Sequence, residues 1–440
     1  MGKIFGTDGV RGVVGEKITE KFVYDLAKSI GVYLNKYNEK SKVFLCHDTR
    51  ISAPMIEKTV CRGLNEFGID VVCGGIVPTP AVHYLTKLHN FSMAIMITAS
   101  HNTYEFNGLK LITKEGYKFS AEQEDEITEI YDEISKYYYG ETLGKTIYDE
   151  SLKYDWADSL IKLVDDDFTG MKVALDCANG ANFYLAPYVF KKLGAQVVAI
   201  NDTSNGELIN QDCGSTHLEP ISKLTKENNC IMGFAFDGDA DRMNAVYGDG
   251  RQISGEELLF LCAMYLYKKQ KLTNNKIITP YVTNCGIDES LKKFSIEVVR
   301  CDVGGKSIQR KMLEQNISFG AEDNGHIVWG DYNKCSDGLL TALFLTKLYK
   351  EDNFENLLKD LKLFEQLKIT VPITEEQRGR YVNGAINQKL EELKSTLKEN
   401  ERIITRLSGT EPIVRIVVEG ENIEGITETG KKVESLIKSL

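Results

Sequence analysis

Three aspartates in the stretch FDGDADR have the type and the spacing of metal ligands. Asp237, Asp239 and Asp241 alternate with small residues. In an extended segment this spacing points all three carboxylates to one side, and three such oxygens suit a hard divalent cation such as Mg²⁺. A calcium-binding EF-hand loop begins similarly, but it needs Gly and Glu at two later positions where this chain has Arg242 and Gly248. We therefore predict a Mg²⁺ site.

A serine at the end of an apolar strand is the second candidate. The stretch MAIMITASHN ends in Ser100, His101 and Asn102. Adjacent serine and histidine rarely form a nucleophile–base pair, and the chain has no G-x-S-x-G elbow. A phosphorylated serine would instead bring about -1.5 to -2 charges and three acceptor oxygens, one of them for the predicted cation. Lys110 and Arg242 would offset the remaining charge, and His101 or Lys110 would move protons. The pattern indicates phosphoryl transfer, which depends on positioning and charge stabilisation.

A stretch near the C-terminus predicts a second phosphate site. TRLSGTEPIVR places Arg406 and Arg415 around Ser408-Gly409-Thr410. Small residues expose backbone N–H groups, and arginine side chains bind phosphate through two parallel hydrogen bonds. A tight β-turn is the plainer interpretation, but a turn alone does not need flanking arginines.

A fourth stretch, AEDNGH, has side chains suited to a sugar. It offers Glu322, Asn324 and His326 at the end of an apolar segment. A carboxylate and an amide bind sugar hydroxyls well. An ordinary polar loop remains the alternative for this stretch taken by itself.

The elements that would position these residues form a threefold repeat. Lys-led apolar strands KVFLC, KVALD and KIITP each precede a helical span, a second strand and a third strand. Apolar strands that alternate with helices are typical of α/β layers with largely parallel sheets. Three of the stretches above follow the third strands. Because ligands bind at the carboxyl ends of such strands, we expect the three loops to converge on one cleft.

The repeat divides the chain into four predicted domains. Three α/β domains would cover residues 1–150, 151–252 and 253–365, carrying the serine, the aspartates and the sugar-binding stretch. Ser254 to Glu257 forms a predicted capping box that opens the first helix of the third domain. Residues 366–440 have a different pattern of strands and helices, which predicts a smaller α+β domain.

Composition excludes several classes of protein. A net charge of -11 over 440 residues argues against nucleic-acid binding. The longest apolar run has ten residues, LLFLCAMYLY, whereas a membrane span needs about twenty. The N-terminus has no apolar segment of a secretory signal. Ten cysteines without a CxxC pair predict buried free thiols in a reducing cytosol.

Taken together, the four loops resemble those of the phosphohexomutases, the α-D-phosphohexomutase superfamily, over essentially the whole chain. Within that superfamily, three stretches are similar to the bacterial phosphoglucosamine mutases: FGTDGVRG, NQDCGSTH and RLSGTEP. The resemblance implies three similar α/β/α domains with mixed, largely parallel sheets and a smaller C-terminal α+β domain around a central cleft.

The resemblance also implies roles for individual residues. Ser100 would be carried as phosphoserine and would complete the site of one Mg²⁺ ion per subunit with the three aspartates. The residues around the transferring phosphoryl group would be Arg11, His101, Lys110 and Arg242. The residues that bind substrate would be Glu322, Asn324, His326, Arg406, Ser408, Gly409, Thr410 and Arg415.

The implied reaction interconverts glucosamine 6-phosphate and glucosamine 1-phosphate, with a hexosamine 1,6-bisphosphate as intermediate and activator. Its product would feed UDP-N-acetylglucosamine and peptidoglycan synthesis in the cytoplasm. The resemblance implies a small sugar phosphate as the partner, with neither nucleic acid nor membrane, and it allows a homodimer.

Three alternatives stay open from the sequence. The family usually has Ser at position 324, Gln at position 323 and Gly-Asp-Arg where this chain has Gly304-Gly305-Lys306. These positions are expected near the sugar, so glucose or mannose phosphates are alternative substrates. A phosphatase that hydrolyses the phosphoserine and a non-catalytic sugar-phosphate sensor are the other two.

Overall fold

The computed structural model contains four β-sheets with helices packed against them. Within the described part of the chain, no helix combines the length and the apolar character needed to cross a bilayer. All ten cysteines are free thiols, and the expected burial is confirmed for nine of them, since Cys285 is half-buried. The described residues are 4–6, 8–37, 42–138, 142–398, 400–408 and 411–440.

The first sheet has six strands and four helices. The strands are β1 (Val10–Val13), β2 (Val43–His47), β3 (Val71–Ile76), β4 (Met93–Ile97), β5 (Phe106–Thr113) and β6 (Thr146–Tyr148). The helices are α1 (Glu20–Lys36), α2 (Ala53–Asn65), α3 (Thr79–Leu88) and α4 (Ala121–Asp132). The strand order is β1-β5-β4-β2-β3-β6. The inner strands are parallel, but β4 and β5 form an antiparallel hairpin, whose connection at residues 98–105 we call the serine loop.

The second and third sheets repeat this arrangement with four strands each. The strands are β7 (Lys172–Asp176), β8 (Gln196–Ile200), β9 (Met232–Phe236), β10 (Met243–Tyr247), β11 (Lys276–Pro280), β12 (Glu297–Cys301), β13 (Phe319–Ala321) and β14 (Ile327–Trp329). The orders are β10-β9-β7-β8 and β12-β11-β13-β14. In each sheet three strands are parallel and the last turns back antiparallel. We call residues 237–241 the aspartate turn and residues 322–326 the third-sheet loop.

Eight helices accompany these two sheets. They are α5 (Lys153–Val164), α6 (Leu185–Lys192), α7 (Glu219–Glu227), α8 (Gly255–Lys268), α9 (Gly286–Lys292), α10 (Gly305–Gln315), α11 (Gly338–Glu351) and α12 (Phe354–Leu358). Helix α8 begins at the predicted capping box, in which Ser254 and Glu257 exchange backbone and side-chain hydrogen bonds. Residues 258–266 of α8 are all buried. An all-round apolar helix must lie inside the protein, and α8 does.

The first three sheets share one apolar core. The cluster extends from Phe44 on β2, through Phe234 on β9 and Phe260 on α8, to Trp329 on β14. Because these side chains are packed continuously, the three sheets hold one another in fixed positions. The predicted class, three similar α/β/α layers with mixed, largely parallel sheets plus a smaller α+β portion, is confirmed.

The fourth sheet is separate and wholly antiparallel. Its strands are β15 (Glu365–Pro372), β16 (Arg402–Leu407) and β17 (Ile413–Gly420), in the order β15-β17-β16. Its helices are α13 (Glu375–Val382), α14 (Asn387–Ser395) and α15 (Ile423–Lys438). These elements form their own apolar cluster. Polar contacts join it to the third sheet, such as Gln366 Nε2 on β15 donating to Val282 O, after β11, at 3.3 Å.

Candidate active site

Loops from the first three sheets meet at one place. The serine loop and the aspartate turn are joined where Ser100 Oγ donates to Asp237 Oδ2 at 2.7 Å. The strand after the aspartate turn contacts the third-sheet loop, where the N–H of Met243, the first residue of β10, donates to Gly325 O at 3.1 Å. The convergence expected from the strand ends is therefore present.

The aspartates lie in a tight turn and not in an extended segment. The Ala240 N–H donates to Asp237 O at 3.0 Å, and Ala240 has a φ of 60°. The prediction of an extended segment is wrong, but the turn still brings one oxygen of each aspartate within 4.8 Å of the others. Gly238 packs against the neighbouring loop, because a Cβ there would lie 2.7 Å from both Ser100 O and Asn210 Nδ2.

The aspartate cluster fits a divalent cation. Within the described chain, Oδ1 of Asp239 and Oδ1 of Asp241 are buried without a hydrogen-bond partner. Burial, and then the charges of Asp241 and Asp239, raise the pKa of Asp237 well above its ordinary value. A bound cation would satisfy the unpaired oxygens and offset the repulsion among the carboxylates. These three residues therefore fit Mg²⁺.

A buried lysine contacts the same carboxylates. Lys110 on β5 places Nζ 2.7 Å from Asp239 Oδ2 and 3.1 Å from Asp241 Oδ2. Asp8 lies 3.0 Å from the same nitrogen and 2.6 Å from Lys118 Nζ. Burial opposes the charge of Lys110, but Asp239, Asp241 and Asp8 outweigh it and raise the lysine pKa well above its usual value. The site thus holds a fixed positive charge beside the aspartates.

The other residues predicted around the phosphoryl group also lie at the serine loop. Arg11 Nη1 donates to Asn102 Oδ1 at 3.1 Å, and the Arg242 N–H donates to Asp237 Oδ1 at 3.1 Å. Burial, followed by the charges of Arg242 and Arg11, lowers the pKa of His101 to about 4. His101 is therefore a neutral imidazole at pH 7, next to two guanidinium groups.

The third-sheet loop presents a carboxylate and an imidazole. Glu322 Oε1 accepts the Gly304 N–H at 3.0 Å, and Asn324 Oδ1 accepts the His326 N–H at 3.1 Å. His326 Nδ1 lies 2.9 Å from Ser336 Oγ, while its buried Nε2 has no partner in the described chain. The Asn324 oxygen therefore shapes its own loop, and the buried His326 Nε2 lies against Gly305, where a Cβ would be 2.7 Å from it.

Lys306, which departs from the family pattern, joins two sheets. Its Nζ lies 2.5 Å from Glu124 Oε1 on α4, and the Glu124 carboxylate is buried. The lysine therefore connects the start of α10 in the third sheet to the first sheet.

The fourth-sheet hairpin, residues 402–420, carries the predicted phosphate site. Arg406 on β16 and Arg415 on β17 stand directly opposite each other, and both are exposed. Arg415 Nη2 contacts Glu411 Oε2 at 3.3 Å, and Ser408 Oγ accepts the Glu411 N–H at 3.3 Å. The other two predicted members, Gly409 and Thr410, lie outside the described residues.

Sequence reasoning did not single out five residues that support the site. They are Asp8, Arg50, Thr79, Lys118 and Asn210. Thr79 Oγ1, for example, donates to Asp239 Oδ2 at 2.6 Å. The available signals were FGTDGVRG and NQDCGSTH, which contain Asp8 and Asn210, and the polar sequence HDTR, which contains Arg50 and begins at the last residue of β2.

The sequence is closely similar to curated enzymes along its full length. A phosphoglucosamine mutase of Caldicellulosiruptor bescii is 37% identical over 447 positions, which cover 100% of this chain and 99% of the relative. A phosphoglucosamine mutase of Clostridium tetani is 37% identical over 444 positions with the same coverage.

Solved structures share the fold. A phosphoglucomutase/phosphomannomutase family protein from Burkholderia thailandensis superposes with a TM-score of 0.82 at 21% identity, covering 99% of this chain and 97% of the other. N-acetylphosphoglucosamine mutase from Aspergillus fumigatus, solved with GlcNAc-6P and magnesium, gives a TM-score of 0.66 at 16% identity, covering 99% and 95%.

The chain also matches the phosphoglucomutase/phosphomannomutase family in each of its four domains. The alpha/beta/alpha domains I, II and III match residues 2–138, 155–250 and 254–364. The C-terminal domain matches residues 369–434. The chain therefore belongs to the phosphoglucomutase/phosphomannomutase family.

Proposed function

We propose that this protein interconverts glucosamine 6-phosphate and glucosamine 1-phosphate, the activity named for its full-length relatives. The observation that carries the proposal is the contact of Ser100 Oγ with Asp237 Oδ2, at 2.7 Å, within a cluster of three buried carboxylates. A hydroxyl fixed beside a cation site and a buried lysine has the surroundings that phosphoryl transfer requires.

The chain's own residues divide the reaction between them. Phosphorylated Ser100 donates its phosphoryl group to the free hydroxyl of the substrate: the serine P–O bond breaks and a P–O bond to the sugar forms. The hydroxyl proton passes to the neutral imidazole of His101, and the departing Ser100 oxygen takes a proton from the ammonium group of Lys110. Arg11 and Arg242 stabilise the charge of the transferring group. The resulting 1,6-bisphosphate reverses its orientation and returns its other phosphoryl group to Ser100. Mg²⁺, held by the three aspartates and a phosphoserine oxygen, supplies electrostatic stabilisation when bound.

The remaining parts of the proposal concern recognition and context. Glu322, Asn324 and His326 contact the sugar, and the fourth-sheet hairpin binds the phosphate that is not being transferred. The bisphosphate also serves as activator by phosphorylating Ser100. We further propose four domains at residues 1–150, 151–252, 253–365 and 366–440, a cytoplasmic homodimer, and a product that enters cell-wall precursor synthesis.

The experiment that tests the proposal compares variants of two serines, one on each side of β4. Ser100→Ala should reduce mutase activity by about a thousandfold or more and abolish the phosphate adduct in intact-mass spectra, because no other group stores the phosphoryl. Ser92→Ala is the control: its hydroxyl is also buried near β4 and has no partner in the described chain, so activity should be retained. Full mutase activity in Ser100→Ala would refute the proposal, and an inactive variant that keeps its full biological effect would favour the non-catalytic sensor.

Substrate comparison tests the sugar. Glucosamine, glucose and mannose 6-phosphates are assayed in parallel, and glucosamine 6-phosphate should give the highest kcat/KM. A hundredfold preference for glucose would replace the proposed substrate. Release of free phosphate faster than formation of isomer would indicate a phosphatase.

A further inference from the structure

The buried side chain of Arg50 donates hydrogen bonds to the backbone of the serine loop. Arg50 follows β2 in the sequence HDTR and is 1% exposed. A guanidinium group has five N–H donors, and here all five are used. Nε donates to Asp48 Oδ2 at 3.0 Å. The other four donate to backbone oxygens of the serine loop and the first residue of β5, namely Ser100, Asn102, Thr103 and Phe106.

The conformation of Ser100 needs such support. Its φ is 53°, in the left-handed region that residues other than glycine rarely occupy. A residue stays in such a conformation when its surroundings determine it fully. The Ser100 N–H donates to Thr98 Oγ1 at 2.9 Å, and Thr98 Oγ1 in turn donates to Asp48 Oδ2 at 2.7 Å. Asp48 and Arg50 thus fix the peptide of Ser100 from both ends.

The second sheet completes this clamp. Asn210 Nδ2 donates to Ser100 O and to Asn102 O, both at 2.8 Å. The two carbonyl groups therefore each accept one hydrogen bond from Arg50, which follows β2 of the first sheet, and one from Asn210, which lies between β8 of the second sheet and α7. The Ser100 side chain, held by this backbone, lies against Asp237 of the second sheet.

We propose that Arg50, supported by Asn210, is a positioning residue for phosphoryl transfer: it holds Ser100 in the left-handed conformation that directs Oγ to the aspartate turn. Arg50 donates to none of the three aspartates of the aspartate turn and not to Ser100 Oγ, so it acts through the backbone of the serine loop. This inference rests on the proposed function. It predicts that loss of the clamp lowers the rate of transfer and leaves substrate affinity nearly unchanged.

The test uses the full chain with Mg²⁺ and glucose 1,6-bisphosphate as phosphoryl donor. Arg50→Lys keeps the charge but has three donors where arginine has five. Uptake of phosphoryl by Ser100, followed by intact mass, and kcat should both fall about a hundredfold, while KM stays within about threefold. The matched control is Arg300→Lys, since Arg300 similarly donates to the carbonyl groups of Pro280, Thr283 and Asn284 in the third sheet. It should take up phosphoryl at the wild-type rate.

If Arg50→Lys does not fold, Asn210→Ala decides the question, because it removes two hydrogen bonds to the same carbonyl groups. Its kcat should fall at least tenfold with little change in KM. Wild-type uptake and kcat in either folded variant would overturn the inference, as would equal slowing by Arg300→Lys. A wild-type protein that accepts no phosphoryl group would overturn the proposed function, and this inference with it.

Discussion

The serine loop connects two antiparallel strands, and the fourth-sheet hairpin consists of two antiparallel strands and their turn. We assign a phosphate group to each of these regions, but the two are built differently. Ser100 is 1% exposed, and its backbone is bonded on both sides. The hairpin instead holds Arg406 and Arg415 directly opposite each other at the surface, with Glu411 near one of them. Like charges in that arrangement repel.

This difference in rigidity and exposure matches the two roles that we propose: phosphoryl transfer at the serine loop and phosphate binding at the fourth-sheet hairpin. Transfer needs atoms fixed before substrate arrives, and the serine loop is fixed by hydrogen bonds from two sheets. Binding an exchangeable phosphate needs an open surface, and the opposed arginines gain most when an anion lies between them. The shared core of the first three sheets and the separate core of the fourth follow the same division.

Removing one of the proposed metal ligands should have the largest effect and would test the buried serine loop and its aspartates. Asp239→Asn should lower phosphoryl uptake by about a thousandfold, because one charge of the cation site is lost. MgCl₂ should raise the unfolding temperature of the wild type and should raise that of the variant less. Asp249→Asn, at an exposed aspartate after β10, is the control and should behave like wild type. Equal thermal shifts in all three proteins would contradict the metal site.

Removing one hairpin arginine tests the exposed fourth-sheet hairpin. Arg406→Ala should raise KM about thirtyfold or more, corresponding to about 2 kcal/mol, because a phosphate would lose a charged partner. The unfolding temperature should not change, since the side chain is exposed. Arg380→Ala removes another exposed arginine, which lies on α13 beside the same sheet and pairs with Glu376, and it should leave KM unchanged. An unchanged KM in Arg406→Ala would remove the hairpin from substrate binding.

Lowering the pH should reduce the free energy of unfolding, which is a smaller effect. It tests how a buried histidine near the first sheet limits stability. Burial lowers the pKa of His83 on α3 to about 3, against about 6.5 in the unfolded chain. Between these two pKa values the histidine is protonated in the unfolded state and neutral in the folded state. The free energy of unfolding therefore keeps its full value above about pH 6.5 and falls as the pH drops. At pH 5 the contribution of His83 alone to this loss should be about 2 kcal/mol, and the lowered pKa values of His101 and His326 add to it.

The measurement is the free energy of unfolding in urea from pH 7.5 to pH 5. His83→Gln can still donate to the Gly116 carbonyl, as His83 Nδ1 does at 2.8 Å, and should show a shallower loss over that range. Identical slopes for the variant and the wild type would show that His83 does not cause the acid sensitivity.

The sequence predicted the parts whose signal is local. Period and apolar character indicated the threefold repeat, and each polar stretch at a strand end proved to lie in a hairpin loop. The aspartates were recognised by spacing, although the geometry inferred from it was wrong: the Ala240 N–H closes a turn that spacing alone cannot distinguish from an extended segment.

The supporting residues were not predicted because their contacts are distant in sequence. Arg50 binds carbonyl groups about fifty residues away, and Asn210 reaches the same groups from a different sheet. Backbone oxygens carry no side-chain signature, so their partners cannot be read from residue types. Lys306 is similar, since its partner Glu124 lies on a helix of the first sheet.

The junction of the serine loop with Asn210 and the aspartates has a consequence for biosynthesis. A ribosome releases residues 1–150 well before Asn210 and Asp237 have been translated. Until the second sheet docks, the emerging serine has neither the full clamp nor the carboxylates, so it stays an ordinary hydroxyl. The reactivity proposed for Ser100 therefore depends on the docking of the second sheet against the first, and residues 1–150 alone do not supply it.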